Sequence, residues 1–339
     1  MELYVLDKSL RTIGVIDTYT SIIWTKRYFT YGDFELYFPV SHLDILAIGN
    51  YIYRLDDDKI MLIESLNITT DTENGNFLTV SGRSVECLLS RRIVWNQTTF
   101  SGTVENLIYK LIRENATEPT DSNRIIPLLS IGTSQGFTET IEKQITGTNL
   151  LEVIIDLCTT YQYGFKITLQ NGGFVFSLYK GNENTGVVFS PEFDNLINSS
   201  YQRNVSEYAN VALVAGEGEG AARKTYAVGN ASGLDRSEIY VDSRDLSTNT
   251  EEPITTEEYN AILATRGEEK LAEHTVTEGF EGNVEPSGTY KYKSDWDIGD
   301  IVEVVNEYGM TGNPRIVEII ESEDENGTTI VPTFTTWEG

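Results

Sequence analysis

Gly216-Glu217-Gly218-Glu219-Gly220-Ala221, placed after the apolar run Val211-Ala212-Leu213-Val214, has the glycine spacing of a loop that wraps a dinucleotide pyrophosphate. Its charges argue against that chemistry. Glu217 and Glu219 would face the phosphates with like charge, and Arg223 to Val228 alternates as a strand where the phosphate-binding helix should open. A hairpin loop accounts for the same residues.

Metal chemistry has little to draw on. The two histidines, His42 and His274, lie in unrelated segments without a second His or Cys at ligand spacing, and read as surface or packing residues. The acidic run Asp71 to Asn76 has a calcium-loop flavour, but the twelfth position is Gly82 and not the bidentate Glu, so a turn is expected. Cys87 and Cys158 sit in the apolar runs Val85 to Leu89 and Ile154 to Cys158, which marks them as reduced core residues. Neither histidine belongs to a Gly-x-Ser-x-Gly or Cys/His signature, so no nucleophile is paired with a base. Any two of the 52 acids could be called a glycosidase pair, which singles out none. The expectation is a protein that is not an enzyme, with no cofactor and no metal. Arg83, Arg91 and Arg92, with Arg113 beyond them, are expected to be structural, salt-bridged arginines, with subunit contacts as the alternative.

The elements that must position these residues are mostly strands. A length of 339 residues suggests two or three folding units, and 40% hydrophobic residues with nineteen Tyr favour packed, aromatic-rich strands. The balance of 25 basic against 52 acidic residues gives a formal charge of −27, which repels nucleic acid. No basic, apolar leader opens the sequence and no window approaches eighteen apolar residues, so neither a secretory signal nor a spanning helix is expected.

Strands are predicted at Leu3 to Leu6, Thr12 to Asp17, Ile22 to Phe29, Phe34 to Val40, Tyr51 to Leu55, Lys59 to Thr69 and Phe77 to Ser84. Turns fall at Asp56-Asp57-Asp58 and Asn74-Gly75. Positions 104, 107, 108, 111 and 112 share one helical face behind a Thr103 cap. A second helix is predicted from about Thr148 to Tyr161. A hairpin follows it around Asn171-Gly172-Gly173. Strands return at Asn210 to Ala215 and Arg223 to Val228. Thr255-Thr256-Glu257-Glu258 is a capping box for a helix reaching about Glu273, which Gly267 weakens. Thr275 to Thr336 reads as strands again, with a hairpin tip at Asp324-Glu325-Asn326-Gly327. The fold class is mainly β (α+β): two β-barrel-like domains with α/β insertions. The expected division is 1–96 for a first barrel, 97–207 for an α/β insertion, 208–232 with 275–339 for a second barrel, and 233–274 for a helical insertion.

Taken in order, several segments resemble the hub proteins of siphophage tail tips, the Gp37-like family related to contractile baseplate hubs. They are Tyr31-Gly32-Asp33-Phe34-Glu35-Leu36-Tyr37-Phe38-Pro39, Val80-Ser81-Gly82-Arg83-Ser84, and Leu88-Leu89-Ser90-Arg91-Arg92-Ile93. Further on come Tyr208 to Gly216 with Asn210, Gly233-Leu234-Asp235-Arg236-Ser237-Glu238, Val241-Asp242-Ser243-Arg244-Asp245-Leu246, and Asp297-Ile298-Gly299-Asp300-Ile301-Val302. The resemblance implies a homotrimeric ring at the virion tail tip, made in the bacterial host cytoplasm, with two barrels per chain meeting the six-fold tail tube. It implies contacts with the distal tail protein, tail tube protein, tape measure protein and receptor-binding or fibre proteins, and a channel that closes or opens for DNA ejection. DNA would be a partner only in transit, and an anionic bore would let it slide. Many such hubs continue into fibre-like or peptidoglycan-cleaving extensions. After Trp337-Glu338-Gly339 that activity is expected from a separate chain. The competing expectations are a carbohydrate-binding or glycan-hydrolysing module, and the hub of a tailocin or phage-derived injection particle.

Overall fold

The computed structural model describes residues 2–71, 75–248, 254–284, 288–309 and 311–334. Asn74 of the first predicted hairpin tip, the middle of the acidic run Asp71 to Asn76, and the last predicted strand residues Thr335 and Thr336 lie outside them.

The chain opens with β1 (Leu3–Leu6), β2 (Thr12–Ile16), β3 (Ser21–Arg27), β4 (Asp33–Pro39), β5 (Tyr51–Tyr53), β6 (Ile60–Asp71) and β7 (Gly75–Ser84), close to the predicted spans. Alternation drives them. Phe34, Leu36 and Phe38 of β4 and Leu78 and Val80 of β7 are buried while their neighbours face out, as a pleat with a period of two requires. Each such side chain contributes roughly 1.5–3 kcal/mol on leaving water.

A 3₁₀ turn (Val85–Arg91) leads to β8 (Thr98–Thr103), α1 (Val104–Ile112), β9 (Leu129–Ile131), β10 (Thr140–Ile145), α2 (Leu150–Tyr161), β11 (Gly164–Gln170) and β12 (Gly173–Tyr179). The Thr103 hydroxyl accepts from the Asn106 N–H and caps α1 as expected. The cap of α2 is Asn149, whose side chain accepts from the Leu151 and Glu152 N–H groups while donating to the Ser90 carbonyl. One core joins the 3₁₀ turn, both helices and the β11–β12 hairpin, and it includes Cys87 and Cys158.

β13 (Glu183–Phe189) and β14 (Leu196–Asn204) come next, then β15 (Val211–Ala215), β16 (Thr225–Val228), β17 (Glu238–Asp242) and α3 (Thr256–Glu273). The capping box at Thr255 and Glu258 is complete. Gly267 does not break α3. A Cβ there would lie 2.5 Å from Val228 and 2.9 Å from Val214, so the glycine lets the helix lie directly on β15 and β16. The chain returns through β18 (Thr277–Val284), β19 (Ile301–Val305), β20 (Thr311–Gly312), β21 (Ile316–Asp324) and β22 (Gly327–Phe334), the last two joined at the predicted tip.

The largest sheet runs β14-β18-β22-β21-β3-β4-β7-β6-β5-β1-β2. Antiparallel pairing of β21 with β3, from Glu318↔Arg27 to Glu323↔Ile22, therefore welds the last strands of the chain to the first. One β core lies near each end of the sequence, one in β1 to β7 and the other among β13, β14, β18, β19, β21 and β22. This is the expected mainly β, α+β class.

Strand pairing divides the middle of the chain differently from expectation. β13 runs parallel to β19 and β14 pairs with β18, so residues 183–204 share the C-terminal core and not the α/β insertion. β15 and β16 pair with each other and β15 with β17, all beneath α3, so 208–232 goes with 233–274 and not with the final strands. In the first case long-range ladders join segments expected to fold locally, and in the second a local three-stranded unit forms where pairing with distant strands was expected. Among the described residues no helix is long and apolar enough to cross a membrane.

Candidate functional site

The motif residues from the sequence gather in three separate places. In the first, Gly32 and Gly82 let strands approach closely, since a Cβ would lie 2.0 Å from the Thr25 carbonyl oxygen at Gly32 and 1.9 Å from that of Leu62 at Gly82. The Gly32 N–H donates to Ser84 Oγ at 2.8 Å. Asp33 takes Arg27, which also grips Glu318 at 2.5 Å across the β21–β3 seam. Arg83 makes two bonds to Glu64 at 2.6 and 2.8 Å and stacks over Tyr31, and Arg91 stands 3.8 Å from the same carboxylate. Asp33, Glu64, Gly82 and Arg83, with Ile23, Phe34 and Glu35, line an open groove of about 530 Å³. Arg83 and Arg91 thus share the Glu64 carboxylate. Arg92 points elsewhere, to the carbonyl of Arg124 at 2.6 Å.

In the second place, Asn210 clamps the 229–237 turn by donating to the Asp235 carbonyl and accepting from the Ser237 N–H. Gly233 adopts φ +63, Arg236 holds Glu238 and the Ala231 carbonyl, and Asp245 accepts from Arg266 at 2.9 Å. In the third, Gly299 at φ +93 turns the chain so that the Asp300 carboxylate gathers four donors. These are the Asn182 N–H and side chain, the Asn184 side chain and the Asp297 N–H, at 2.7 to 3.2 Å. Asp300 thereby ties the β12–β13 link to the start of β19.

The glycine-rich loop ends β15. Glu217 accepts from Lys224, Ser247, Thr248 Oγ1 and the Thr248 N–H, which occupies the carboxylate within the chain. The Lys224 hydrogen bond leads the interactions that pull its pKa down to about 2. His42 stands at φ +56 beside Phe38, and His274 caps α3 with Nδ1 3.0 Å from the Glu207 carbonyl. Among the described residues no group of three His, Cys, Asp or Glu side chains is arranged to hold a metal. Cys87 is buried, which raises its thiol to about 12.

One spacing went unread. Gly132-Thr133-Ser134-Gln135-Gly136 fits Gly-x-Ser-x-Gly, but Ser134 donates to Glu105 at 2.9 Å and has no histidine base. The N–H groups of Gln135, Gly136 and Phe137 converge on the same Glu105 carboxylate. Glu105 is thus a clasp for the loop between β9 and β10, and the segment is not a strand-to-helix nucleophile elbow.

Sequence reading also missed a buried cluster of charge at the seam. Lys26 of β3, 2% exposed, lies 3.2 Å from Asp57 and 3.6 Å from Asp297. Lys293, held at φ +66, reaches Asp57 at 3.1 Å, the Asp56 carbonyl at 2.7 Å and Glu321 at 3.8 Å. Arg54 joins Asp56 to Glu321 and covers the Trp24 ring. Tyr292 packs on Trp296 with Lys26 and Lys293 over its face. The Asp56-Asp57-Asp58 turn forms as predicted, and its acids also bind Arg54 just before the turn and three cations from other segments, Lys26, Lys293 and Lys166, the last holding Asp58 at 2.6 Å. The only sequence signal was Lys26 inside a strand-like run.

Burial pushes the Asp57 carboxyl up, but the ammonium groups of Lys26 and Lys293 more than offset this and hold it below its ordinary value. A carboxylate whose folded pKa is depressed adds stability above its unfolded pKa and loses that contribution as pH falls through the folded one. Urea unfolding is therefore expected to show stability falling from about pH 5 downward, and Asp57→Asn to flatten that fall. An unchanged slope in the variant would remove Asp57 from this role. In a glycosidase pair one carboxyl must be raised. Asp156 is raised by burial, yet it faces Lys143 and Glu269 where α2 meets α3, away from the groove. The arrangement as a whole braces segments against one another.

Three solved structures share this architecture from end to end. The 43 kDa tail protein of prophage MuSo2 from Shewanella oneidensis has a TM-score of 0.61 at 14% identity, covering 99% of this chain and 98% of that one. A tail protein from Neisseria meningitidis MC58 gives 0.60 at 12%, covering 98% and 96%. Prophage tail protein gp18 from Listeria monocytogenes EGD-e gives 0.58 at 13%, covering 100% and 96%. The fold is that of phage tail proteins. No curated protein matches the sequence. Residues 2–334 match the family model described as Siphovirus ReqiPepy6 Gp37-like protein, and the chain belongs to that family. Its role is that of a structural protein of the phage tail.

Proposed function

We propose that this chain is the hub of the tail tip, a homotrimeric ring beneath the tail tube that closes or opens the channel for DNA ejection. The observation that carries this reading is the seam: β21 on β3 holds two β cores side by side in every chain, so three copies supply six β elements to a six-fold tube. The distal tail protein, tail tube protein, tape measure protein and receptor-binding proteins are its partners, and DNA passes through. The non-enzymatic reading is supported by acids that are matched to cations or amides at each site described, as at Asp57, Glu64, Glu105, Glu217 and Asp300.

Electron microscopy and mass measurement of the purified chain test the proposal: trimers with a central hole are expected, and a monomer at every concentration would overturn it. A charge of −27 per copy makes the copies repel. Assembly is therefore expected to tighten as salt rises from about 0.01 to 0.15 M, where the screening length shrinks from about 30 to 8 Å. Sedimentation at the two salt levels reads this directly, and weakening with salt would show that attraction between charges dominates.

A further inference from the structure

Arg92 and Arg124 stand side by side near the surface, and neither has a carboxylate partner among the described residues. Arg92 donates to the carbonyls of Arg91, Arg124 and Ile125 at 2.6 to 3.4 Å, and Arg124 to the Ile93 carbonyl and Asn115 Oδ1 at 2.8 and 3.2 Å. These neutral acceptors fix both guanidiniums without cancelling their charge. Burial, then the charges of Arg124 and Arg91, lower the Arg92 pKa, and no acid of the described residues offsets them. In a chain of 52 acids and 25 bases, an unmatched cationic pair is out of place unless an anion comes to it.

The surroundings of the pair are apolar. Arg124 stacks over the Trp95 ring at 5.1 Å, Trp95 is 64% exposed, and Ile93 and Ile125 are exposed as well. Tryptophan and arginine held rigidly together are the anchors that protein contacts favour.

A complementary surface lies on the same chain, beside the C-terminal core. Between β13 and β14 the 3₁₀ turn Pro191–Phe193 leads into Asp194 and exposes Glu192, Phe193 and Asp194 in a row. Phe193 is 55% exposed, and neither carboxylate has a partner among the described residues. The turn is fixed from within. Ser190 Oγ accepts from the Glu192 N–H, Asp194 holds φ +52, and the Asn195 side chain accepts from the Ser190 N–H while donating to the Val188 carbonyl. Two acids flanking an exposed ring thus match two arginines beside another. The two surfaces are unlike, so a contact between copies built from them runs head to tail, the kind that closes into a ring.

We propose that the Glu192-Phe193-Asp194 turn of one copy seats on the Arg92, Trp95 and Arg124 surface of the next. This rests on the hub reading and assigns its subunit contact. The charge of −27 still governs how assembly responds to salt, and the local pairing selects which faces meet. The test is the mass in solution, over a range of concentrations, of the full chain and of three variants: Glu192→Lys with Asp194→Asn, Arg124→Glu, and the two sets combined. The first variant brings the chain from −27 to −24, so net charge alone would tighten its assembly. The expected result is the opposite. The parent forms a trimer, each of the first two variants needs a concentration roughly tenfold higher or more to assemble, and the combination recovers most of that loss. Thermal midpoints report folding separately. If Arg124→Glu unfolds the chain, Trp95→Ser, at an exposed side chain, reads the same surface and should loosen assembly in its place. If the parent assembles and Glu192→Lys with Asp194→Asn assembles as well or better, this contact is wrong and the hub reading stands. Loosening in both single sets without recovery in the combination shows that the two surfaces do not face each other, and the contact is again wrong. A parent that never assembles overturns both.

Discussion

Replacing Lys59 by alanine is expected to cost about 3–5 kcal/mol, a large part of a domain's stability of about 5–15 kcal/mol. Lys59 precedes β6 and is 1% exposed, and its ammonium lies 2.5 Å from Glu86, whose side chain is fully buried in the 3₁₀ turn Val85–Arg91. Glu86 also accepts from the Ile167 N–H of β11 at 3.0 Å. The pair therefore joins the opening sheet to the middle core, and alanine would leave a carboxylate in an apolar interior with one amide as its donor. Lys59→Met with Glu86→Gln keeps the volume, removes both charges and retains an acceptor for Ile167. That double variant is expected to recover most of the loss, because a buried ion pair and an uncharged pair of similar shape differ little. Urea midpoints for Lys59→Met, Glu86→Gln and the double variant complete the cycle. A Lys59→Ala change within about 1 kcal/mol of the parent would show that water reaches the pair and that it does not join the two cores.

How much of this was legible in the sequence depended on whether the cause was local. Leu36 and Phe38 alternate with Glu35 and Tyr37, Val104 to Ile112 repeats at helical spacing, and Thr255 with Glu258 satisfies its own helix start, so these elements could be read directly. The pairing of β13 with β19 and of β17 with β15 could not, because both ladders are parallel and join segments distant in sequence, with no hairpin turn to announce them. The charged cluster was hidden for the same reason: Lys26, Asp57, Lys293 and Glu321 belong to four segments that each look like an ordinary polar turn or strand. Gly267 was misread because its purpose lies on the sheet beneath it, at Val214 and Val228. The family motif was visible in order and spacing, but the three places into which it divides depend on the long-range ladders.

Gly82→Ala should be among the most damaging single-methyl additions in the molecule. The position does not need a left-handed backbone; it needs empty space. β7 lies between β4 and β6, with Gly82 opposite Phe34 on one side and Ile63 on the other. The register of β6 slips between Ile63 and Ser65, so Glu64 is an extra residue that bulges toward β7. A Cβ on Gly82 would stand 1.9 Å from the Leu62 carbonyl oxygen and 3.0 Å from the Glu64 nitrogen, and both are backbone atoms that cannot rotate aside. Either β6 or β7 must move, which breaks ladder bonds in the middle of the sheet and displaces the Glu64 carboxylate that holds Arg83 and Arg91. A loss of about 3 kcal/mol or more is expected, at the upper end for overpacking. Gly186→Ala provides the comparison, since a Cβ there meets nothing within 4 Å, and that change should be neutral or slightly stabilising by about 0.4–1 kcal/mol. Urea unfolding of the two variants side by side measures the difference. If Gly82→Ala proves as harmless as Gly186→Ala, then the bulge at Glu64 yields freely, and the groove around Asp33, Glu64 and Arg83 is not the rigid feature that its motif residues describe.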